Sequence, residues 1–279
     1  MILFRRPDDL SKWLNQETAS GKSVGFVPTM GALHAGHISL ITISNLQTDI
    51  TVCSIFVNPT QFNDPKDFQK YPITLEKDIA LLEAAGTDIL FLPGVPELYP
   101  SGTANLEHYD LGSLETLLEG KYRPGHFQGV CQVMHRLLSI VHPDQLFMGR
   151  KDYQQCMVIQ RLLTLMDLDT ALLPCPIVRE ADGLAMSSRN LRLNPTQRAN
   201  ATAIYHALLS LNQNFRIKPT TALVDAETIL KMADFQIDYI SVADATTLEP
   251  VSDPTTPATI VALIAAFQGD IRLIDNLIL

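Results

Sequence analysis

The stretch SVGFVPTMGALHAGHISLITISNLQ, from Ser23 to Gln47, contains the two patterns that decide the fold. Its beginning, SVGFV, is short and apolar, as is typical of a buried strand, and its end, ISLITISNLQ, has apolar residues at helical spacing. His34 and His37 lie between the two patterns, directly after a turn of small residues. The stretch therefore predicts a strand that leads through a turn into a helix, with both histidines where the strand gives way to the helix.

The same alternation of strand and helix patterns continues along the chain as far as Cys175. The predicted strands are VGFVP, ITVCSIFVNP, DILFLP and DQLFMG, and later helical patterns are TLEKDIALLEAAG, GVCQVMHRLLSIV and DYQQCMVIQRLLTLM. Strands separated by helices of this length predict βαβ units, and hence an α/β fold with a parallel sheet and helices on both faces. Ligands of such sheets bind at the carboxyl ends of the strands, where the histidines follow the first predicted strand.

The pattern changes after LLPCPIV, and we place a domain boundary there. A long Ala-rich helix is predicted over PTQRANATAIYHALLSLN, from Pro195 to Asn212, and another near ALVDAETILKMA. Three predicted strands follow, in FQIDYISVADA, ATIVALIAAF and IRLIDNLIL. Helices followed by strands predict a smaller α+β domain with an antiparallel sheet. We therefore expect one domain over residues 1–177 and a second over residues 178–279.

Composition and charge exclude several classes of protein. The chain has 279 residues, 46% of them hydrophobic and 18% charged, which suffices for a sizeable core. Its formal net charge of −9 argues against a general nucleic-acid binder. The four cysteines are isolated from one another, which predicts reduced thiols. The N-terminus does not have the order of a secretory signal, and no apolar run approaches the roughly 20 residues of a membrane span. A cytoplasmic protein without membrane or nucleic-acid partners is expected.

The HAGH stretch has three interpretations. Histidines three residues apart lie on one face of a helix, and the N–H groups at a helix start attract phosphate, so His34 and His37 could bind a polyphosphate. Gly31 and Gly36 would let the ligand approach the backbone closely. The alternative is a capped turn with two incidental histidines. Metal binding is less favoured, because the spacing and the Glu of a zinc-protease motif are both missing.

Two later loops carry positive charge that could meet an anion. In PIVREADGLAMSSRN, hydroxyls, backbone N–H groups and a guanidinium from Met186 to Arg189 could close over a triphosphate. The alternative there is a helix N-cap formed by Ser187 or Ser188. In GRKDYQQ, Lys151 could neutralise phosphate, while Asp152 could cap a helix or bind a sugar hydroxyl. Taken alone, that segment is better explained as a capped helix with a solvated face.

Two neutral segments could recognise a small polar substrate. The loop VNPTQF, which follows a buried strand, offers the amides of Asn58 and Gln61. The segment YRPGHF offers Arg123 and His126 before a helix, where a simple turn and helix start is at least as good an explanation.

Taken together and in this order, the segments resemble the pantoate–β-alanine ligase family of coenzyme A biosynthesis. The matching strings are VPTMGALHAGHISLI, SIFVNPTQFNDPKDFQKYP, TLEKDIALLEAAGTD, RPGHFQGV, GRKDYQQ, VREADGLAMSSRN and RLIDN. The resemblance implies a Rossmann-like domain with an H-x-G-H motif, a smaller C-terminal domain whose MSSR loop resembles the K-M-S-K-S loop of related adenylating enzymes, and a homodimer. It also implies that ATP and (R)-pantoate form pantoyl-adenylate and pyrophosphate, after which β-alanine displaces AMP.

The resemblance also implies roles for individual residues, and it implies Mg²⁺ together with ATP. His37, His34 and Lys151 would be catalytic, and Asn58, Gln61 and Gln155 would bind the small substrates. The nucleotide would contact Met30, Gly31, Ala32, Leu33, His34, Ala35, Gly36, His37, Gly149, Arg150, Lys151, Asp152, Val178, Met186, Ser187, Ser188 and Arg189. None of these residues is assigned as a metal ligand.

Some positions depart from the family pattern. Ile73 and Gln128 stand where arginine is common, and Arg150 stands in MGRKD where FGEKD or FGKKD is common. These departures concern surrounding charge rather than the reaction class. A related aminoacyl-tRNA synthetase core is the nearest enzymatic alternative, and the net charge disfavours its long RNA footprint. A nucleotide-binding regulatory protein without turnover is the alternative from another class.

Overall fold

The structure is a computed structural model that describes residues 1–63, 65–251, 253, 255 and 259–279. For Pro65 and Lys66 it describes the backbone alone, and Asp64 of the loop after Gln61 lies outside the described residues. These residues form two compact units. The first contains Met1–Arg150 and Gln154–Pro176, and the second contains Lys151–Tyr153 and Ile177–Leu279. The assignment of functions to domains 1–177 and 178–279 stays a prediction.

The first unit alternates strands and helices. Its strands are β1 (Ile2–Phe4), β2 (Val24–Thr29), β3 (Ile50–Ile55), β4 (Ile89–Phe91), β5 (Gln145–Gly149) and β6 (Ala171–Cys175). Its helices are α1 (Pro7–Ala19), α2 (Ala35–Gln47), α3 (Pro65–Gln69), α4 (Leu75–Ala84), α5 (Val95–Leu98), α6 (Leu118–Tyr122), α7 (His126–Val141) and α8 (Tyr153–Leu165), the last beginning in the second unit. Short 3₁₀ turns cover Pro59–Gln61, Gly112–Glu115 and Arg150–Asp152.

The described strands of the first unit form one parallel sheet in the order β1-β4-β3-β2-β5-β6. Phe26 of β2 pairs with Leu146 of β5, and the strand order reverses direction at this pair. In open α/β sheets, ligands bind outside the carboxyl ends of the strands at such a reversal. The residues that follow Thr29 and Gly149 begin at this place.

Successive residues of each strand point to opposite faces of the sheet, and both faces are buried. Val24 and Phe26 of β2 belong to one apolar cluster, whereas Val27 belongs to another. In β5, Leu146 lies in the first cluster and Phe147 in the second. This two-residue alternation explains why the strands are apolar throughout, since each face is covered by helices. The predicted α/β class with a parallel sheet is confirmed.

The second unit combines helices with an antiparallel sheet. A 3₁₀ turn at Ser188–Arg192 precedes α9 (Pro195–Asn200), α10 (Ala203–Asn214) and α11 (Pro219–Met232), and the strands are β7 (Phe235–Asp244), β8 (Ile260–Gln268) and β9 (Ile271–Ile278). Described pairings join β7 to β8 and β8 to β9, all antiparallel. The predicted α+β architecture is therefore confirmed. Among the described residues, none of the helices has the length and apolar character needed to cross a bilayer.

The prediction of one continuous helix at the start of the second unit was wrong. The segment from Pro195 to Asn212 forms two helices, α9 and α10, separated at Ala201 and Thr202. There the backbone makes tighter bonds of the i to i+3 kind, from the Ile204 N–H to Ala201 O and from the Tyr205 N–H to Thr202 O. The spacing of apolar residues along the sequence does not reveal this break, because two residues in a tighter turn change little which side of the helix each side chain lies on.

We predict that Leu82→Ala in α4 lowers the free energy of unfolding by about 2–5 kcal/mol, because it removes a fully buried side chain from the sheet face that contains Val27 and Phe147. Leu46→Ala in α2 is the matched control, since 81% of that leucine is exposed, and it should change the stability by less than about 0.5 kcal/mol. Urea unfolding monitored by circular dichroism measures both. Equal losses would contradict the assigned packing of α4.

Candidate active site

The loop between β2 and α2 has a backbone that small residues permit. Gly31 has a φ of +80° and Ala32 a φ of +49°, both in the left-handed region. The Gly31 N–H donates to Thr29 Oγ1 at 3.2 Å. A Cβ at Gly31 would also come within 3.2 Å of Asp78 Oδ2 and of Ile55 Cγ2. Glycine therefore satisfies both the backbone conformation and the close approach of Asp78.

Asp78 of α4 holds this loop by accepting hydrogen bonds from its backbone. Its side chain is buried, with 1% of the residue exposed, and it accepts the N–H groups of Ala32 and Leu33 at 2.8 Å each. It also accepts the Thr74 hydroxyl at 3.0 Å. A carboxylate that receives three hydrogen bonds in a dry site holds the backbone firmly. Asp78 therefore positions the chain just before the two histidines.

His34 and His37 form a reciprocal cap at the start of α2. The Gly36 N–H donates to His34 Nδ1 at 3.1 Å, and the His34 N–H donates to His37 Nδ1 at 3.3 Å. The ring centroids are 4.1 Å apart. Because each Nδ1 accepts a hydrogen bond, it carries no proton, and the ring proton belongs on Nε2. Each imidazole is thus a neutral Nε2–H donor.

The structure confirms the capping interpretation of the HAGH stretch, and phosphate binding by the two histidines stays a prediction. The histidines do cap the helix, and the same bonds set both rings as N–H donors at the positive end of α2. Neutral donors beside the N–H groups of a helix start suit phosphate oxygens. Capping and anion binding are compatible here, since they use different nitrogens of the ring.

Gln61 ends a short turn that a buried amide organises. Asn58 is 1% exposed, caps the turn Pro59–Gln61, and accepts the Tyr99 hydroxyl at 2.9 Å. Its Nδ2 donates to Gln61 Oε1 and to Gly129 O, each at 3.1 Å. Gln61 Nε2 in turn reaches Met30 Sδ at 3.2 Å. These bonds hold the Gln61 amide beside the loop that carries the histidines.

His126 supports the same turn from α7. Its Nδ1 lies 2.8 Å from Gln61 O, and its Nε2 lies 3.0 Å from Arg123 Nη1. A guanidinium only donates and a carbonyl only accepts, so the His126 proton is on Nδ1. Arg123 is itself paired with Glu119 at 3.6 Å. A Cβ at Gly129, one turn along, would overlap the Thr60 carbonyl, so glycine lets α7 touch the turn.

Adjacent glutamines of α8 have different environments. Gln154 is 2% exposed, accepts the Glu119 N–H at 3.0 Å, and donates to Leu114 O and Leu117 O at 2.8 and 2.9 Å. It therefore fixes the chain before α6. Gln155, the predicted substrate residue, is half-buried. Gln154 therefore has a structural role, and the substrate role of Gln155 stays a prediction.

Lys151, Asp152, Val178 and the segment Met186–Arg189 lie in the second unit. Lys151 Nζ pairs with Asp152 Oδ2 at 3.3 Å. The segment from Val178 to Met186 folds back on itself, with the Met186 N–H donating to Val178 O at 3.0 Å. Ser187 Oγ then accepts the Arg189 N–H at 3.2 Å and caps the following 3₁₀ turn. Ser187 therefore takes the capping role that the sequence left open, and Ser188 is buried.

The structure distributes the predicted site over the two units. The first unit contains Met30–His37, Asn58, Gln61, Gly149, Arg150 and Gln155, and the second contains Lys151, Asp152, Val178 and Met186–Arg189. Within the first unit, Gln61 is brought to Met30, and His34 to His37. In the second unit, Lys151 is brought to Asp152.

The cysteines are unsuited to nucleophilic catalysis. All four lie in the described part of the chain, are buried, and form no disulfide there. Burial raises the pKa of Cys53 and of Cys131 to about 12. A thiol with such a pKa is not ionised at neutral pH, and the thiolate is the reactive form.

Comparison with known proteins identifies the family. A family model described as Pantoate-beta-alanine ligase matches residues 2–278. The chain belongs to this family. It is thus a ligase of the kind that joins pantoate to β-alanine, and the family resemblance of the sequence motifs is confirmed.

Relatives and solved structures agree with this assignment. Pantothenate synthetase of Bacteroides fragilis is 42% identical over 272 residues, covering 96% of this chain and 95% of the relative. The enzyme of Koribacter versatilis is 45% identical over 263 residues, covering 93% of this chain and 89% of the relative. The crystal structure of pantothenate synthetase from Thermus thermophilus has a TM-score of 0.91 at 40% identity and covers 99% of both chains. Pantoate-β-alanine ligase from Francisella tularensis, complexed with β-γ ATP and β-alanine, has a TM-score of 0.83 at 35% identity and covers 99% of this chain and 97% of that one.

Several supporting residues of this family member were missed by sequence reasoning. Asp78, Tyr99, Gly129 and Gln154 all hold the predicted site residues or their neighbours in place. Asp78 is the clearest case, since it is an acidic residue at a buried position of a helix. An acidic residue in the first turn of α4 looks like an ordinary helix-start charge, so the sequence offered no signal that it bonds a loop 45 residues away.

We predict that Asp78→Asn lowers the free energy of unfolding by about 1–3 kcal/mol. The two loop N–H groups go to different carboxylate oxygens, and an amide replaces one of these acceptors with an NH2 donor. Asp9→Asn on α1 is the control, since 58% of that side chain is exposed, and it should cost less than about 0.5 kcal/mol. Chemical denaturation compares them. If Asp78→Asn is as stable as the parent protein, the loop does not depend on that carboxylate.

Proposed function

We propose that this chain condenses (R)-pantoate with β-alanine through a pantoyl-adenylate, with release of AMP and pyrophosphate. The observation that carries the proposal is the membership of the whole chain in the pantoate-β-alanine ligase family, together with a pair of neutral imidazole donors at the start of α2. The bound β-γ ATP and β-alanine of the Francisella tularensis relative support the same choice of substrates.

In the first step, a carboxylate oxygen of pantoate bonds to the α-phosphorus of ATP, and the bond from that phosphorus to the bridging oxygen breaks. Pyrophosphate leaves with the electron pair. Two anions must meet, so the main task is to hold them in line and to stabilise the negative charge on the phosphoryl oxygens. His34 and His37 would donate hydrogen bonds from Nε2–H to those oxygens. The proton-donor role that the resemblance implies for His37 would here be a hydrogen bond that strengthens as charge develops, because the neutral ring keeps its proton.

The other nucleotide contacts are proposed from the family motifs. Met30 to His37 would line the nucleotide site, with Gly149, Arg150 and Asp152 beside it. Lys151 would place a positive charge at the reacting phosphate. Val178 and Met186 to Arg189 would complete the site, with the Arg189 guanidinium and the serine hydroxyls on phosphate oxygens. The Ser187 cap is compatible with this role, because a hydroxyl oxygen that accepts one bond can still donate its own proton.

The small substrates would be recognised by amides. Gln61 would contact pantoate and β-alanine, and Gln155 would contact pantoate. The buried bonds of Asn58 favour a positioning role for it in that pocket, since its Nδ2 donates to Gln61 Oε1 and so orients the Gln61 amide. A fixed amide costs less entropy on binding than a mobile one.

In the second step, the amine of β-alanine attacks the acyl carbon of the mixed anhydride, and the bond to the AMP oxygen breaks. The amine loses a proton, and AMP leaves with the electron pair of that bond. The substrate itself supplies the nucleophile in each step, so no protein nucleophile is needed. The high pKa of the Cys53 and Cys131 thiols is in keeping with this mechanism.

We propose that Mg²⁺ accompanies ATP. Among the described residues, no group of three or more His, Cys, Asp or Glu side chains is arranged to hold a metal ion. Mg²⁺ commonly keeps several waters and is bound by substrate phosphates with one or two carboxylates, so it does not require a cluster of protein ligands. Asp152 is the carboxylate of the predicted nucleotide set that would share it. The ion would add positive charge at the phosphate oxygens.

The oligomeric state and the compartment are also proposals. A homodimer is proposed from the family resemblance, and a cytoplasmic location is proposed from the isolated, reduced cysteines that the sequence predicts. Both are independent of the chemistry above.

The reaction is tested by incubating the protein with ATP, pantoate and β-alanine. We expect steady AMP formation when both small substrates are present and none when either is omitted. With pantoate labelled by ¹⁸O in its carboxylate, the AMP should contain one heavy oxygen, because a carboxylate oxygen remains on phosphorus. Mass spectrometry of AMP measures this. Unlabelled AMP would contradict attack by the carboxylate on the α-phosphorus.

We predict that His37→Ala and Lys151→Ala each lower the rate of AMP formation by at least about 100-fold, because each removes a donor or charge at the phosphates. His108→Ala and Lys12→Ala are matched controls, since both side chains are exposed. Steady-state kinetics measure the rates, and circular dichroism checks folding. A rate within about threefold of the parent, less than roughly 0.7 kcal/mol of barrier, would contradict the role of that residue.

A further inference from the structure

A buried ion pair in the second unit joins its C-terminal strand to the base of the MSSR loop. Arg179 Nη1 and Nη2 lie 2.6 and 3.0 Å from the two carboxylate oxygens of Asp275 in β9. The Asp275 side chain is fully buried. Arg179 also donates to Gly183 O at 3.0 Å, and its guanidinium lies 4.2 Å from the centre of the Tyr205 ring. The Arg179 guanidinium is therefore held by a carboxylate, a backbone carbonyl and an aromatic ring.

The next residue of β9 continues this connection to Lys151. Asn276 is 2% exposed, and its backbone N–H donates to Asp275 Oδ1 at 2.8 Å. Its Nδ2 donates to Lys151 O at 2.8 Å, while Arg179 Nη2 reaches Asn276 O at 3.3 Å. We call Arg179, Asp275 and Asn276 the terminal clamp. The clamp bonds both the backbone of Lys151 and the start of the loop that leads to Ser187.

The segment Lys151–Tyr153 is bonded to other parts of the second unit at two points. It contains the end of the 3₁₀ turn Arg150–Asp152 and the first residue of α8. Asn276 holds it at Lys151 O, and Tyr153 donates its hydroxyl to Ala245 O at 2.8 Å. Although it follows β5 directly along the chain, the segment belongs to the second unit, as does the MSSR loop.

The clamp contains a buried ion pair, which the stability of the fold alone does not require. Burial raises the pKa of Asp275, and the Arg179 guanidinium opposes this shift. A buried ion pair carries a large desolvation cost and is often no more stabilising than apolar side chains of the same size. A bidentate pair does, however, fix two chain segments in one relative orientation. Here the two segments are β9 and the base of the MSSR loop.

We propose that the terminal clamp sets the position of Lys151 relative to the loop Met186–Arg189, so that Arg179, Asp275 and Asn276 are positioning residues for adenylate formation. The inference rests on the function proposed above for Lys151 and the loop. A lysine ammonium ends a flexible four-carbon chain, so its placement depends on the backbone that carries it. Displacement of about 1 Å can cost a reaction about 100-fold in rate.

The half-reactions separate positioning from general stability. Pantoate-dependent exchange of labelled pyrophosphate into ATP reports adenylate formation alone, and the complete reaction reports the KM for β-alanine. We expect Asn276→Ala to lower the exchange kcat by at least about tenfold, with the KM for β-alanine within about twofold of the parent. Ile271→Val, a buried change on the same strand four residues before Asp275, should keep the parent exchange kcat while losing some thermal stability.

A double substitution removes the charges without leaving one buried alone. Arg179→Met combined with Asp275→Leu should retain a cooperative unfolding transition close to that of the parent, because apolar side chains replace the pair. We expect its exchange kcat to fall by at least about tenfold all the same, because the bidentate geometry is lost. If the double variant does not fold, Asn276→Ala decides the question.

The outcomes distinguish this inference from the proposed function. If the parent protein catalyses the exchange and Asn276→Ala or a folded double variant does so equally well, the positioning role of the clamp is overturned. The proposed function then remains intact. An equal loss of exchange in Ile271→Val would also overturn the positioning role, because the effect would then follow stability. Absence of pantoate-dependent exchange in the parent overturns the proposed function and the clamp with it.

Discussion

The parallel pairing of β2 with β5 is the constraint on which the rest of the first unit depends. Parallel strands place their carboxyl ends at the same edge of the sheet, so the residues after Thr29 and after Gly149 begin side by side. The strand order reverses at this pair, and in open α/β sheets ligands bind outside the carboxyl ends of the strands at such a reversal. Because both faces of the sheet are buried, the loops at its edge are where polar groups can meet a ligand.

Buried polar residues then hold the loops at that edge of the sheet in position. Asp78 receives the loop N–H groups, Asn58 bonds the Gln61 amide, and His126 bonds the Gln61 carbonyl. Each of these side chains is nearly or wholly removed from water, where an unsatisfied polar group would be costly. The predicted site residues of the first unit are thus supported by buried hydrogen bonds. Such support is what holds catalytic groups to within a fraction of an ångström.

In the second unit, a buried ion pair and an amide hold the predicted site residues in position. A bidentate pair between Arg179 and Asp275, and the amide of Asn276, connect the C-terminal strand to Lys151 and to the MSSR loop. The proposed chemistry brings two anions together, so the cations that oppose their repulsion must be placed reproducibly. In both units, then, buried hydrogen bonds hold the groups that are proposed to meet the phosphates.

The sequence by itself determined the α/β class, the antiparallel second unit, the family and the histidine pair, because periodic burial and contiguous motifs are local properties of the chain. It did not reveal β1, which has three residues and too little pattern, or the break at Ala201. Only the tertiary structure decided that Asp78 bonds the loop at Leu33, that Gln154 rather than Gln155 is structural, and that Asn276 bonds Lys151. Those contacts join residues 45, 35 and 125 positions apart, and the path of the chain, rather than any local pattern, brings them together.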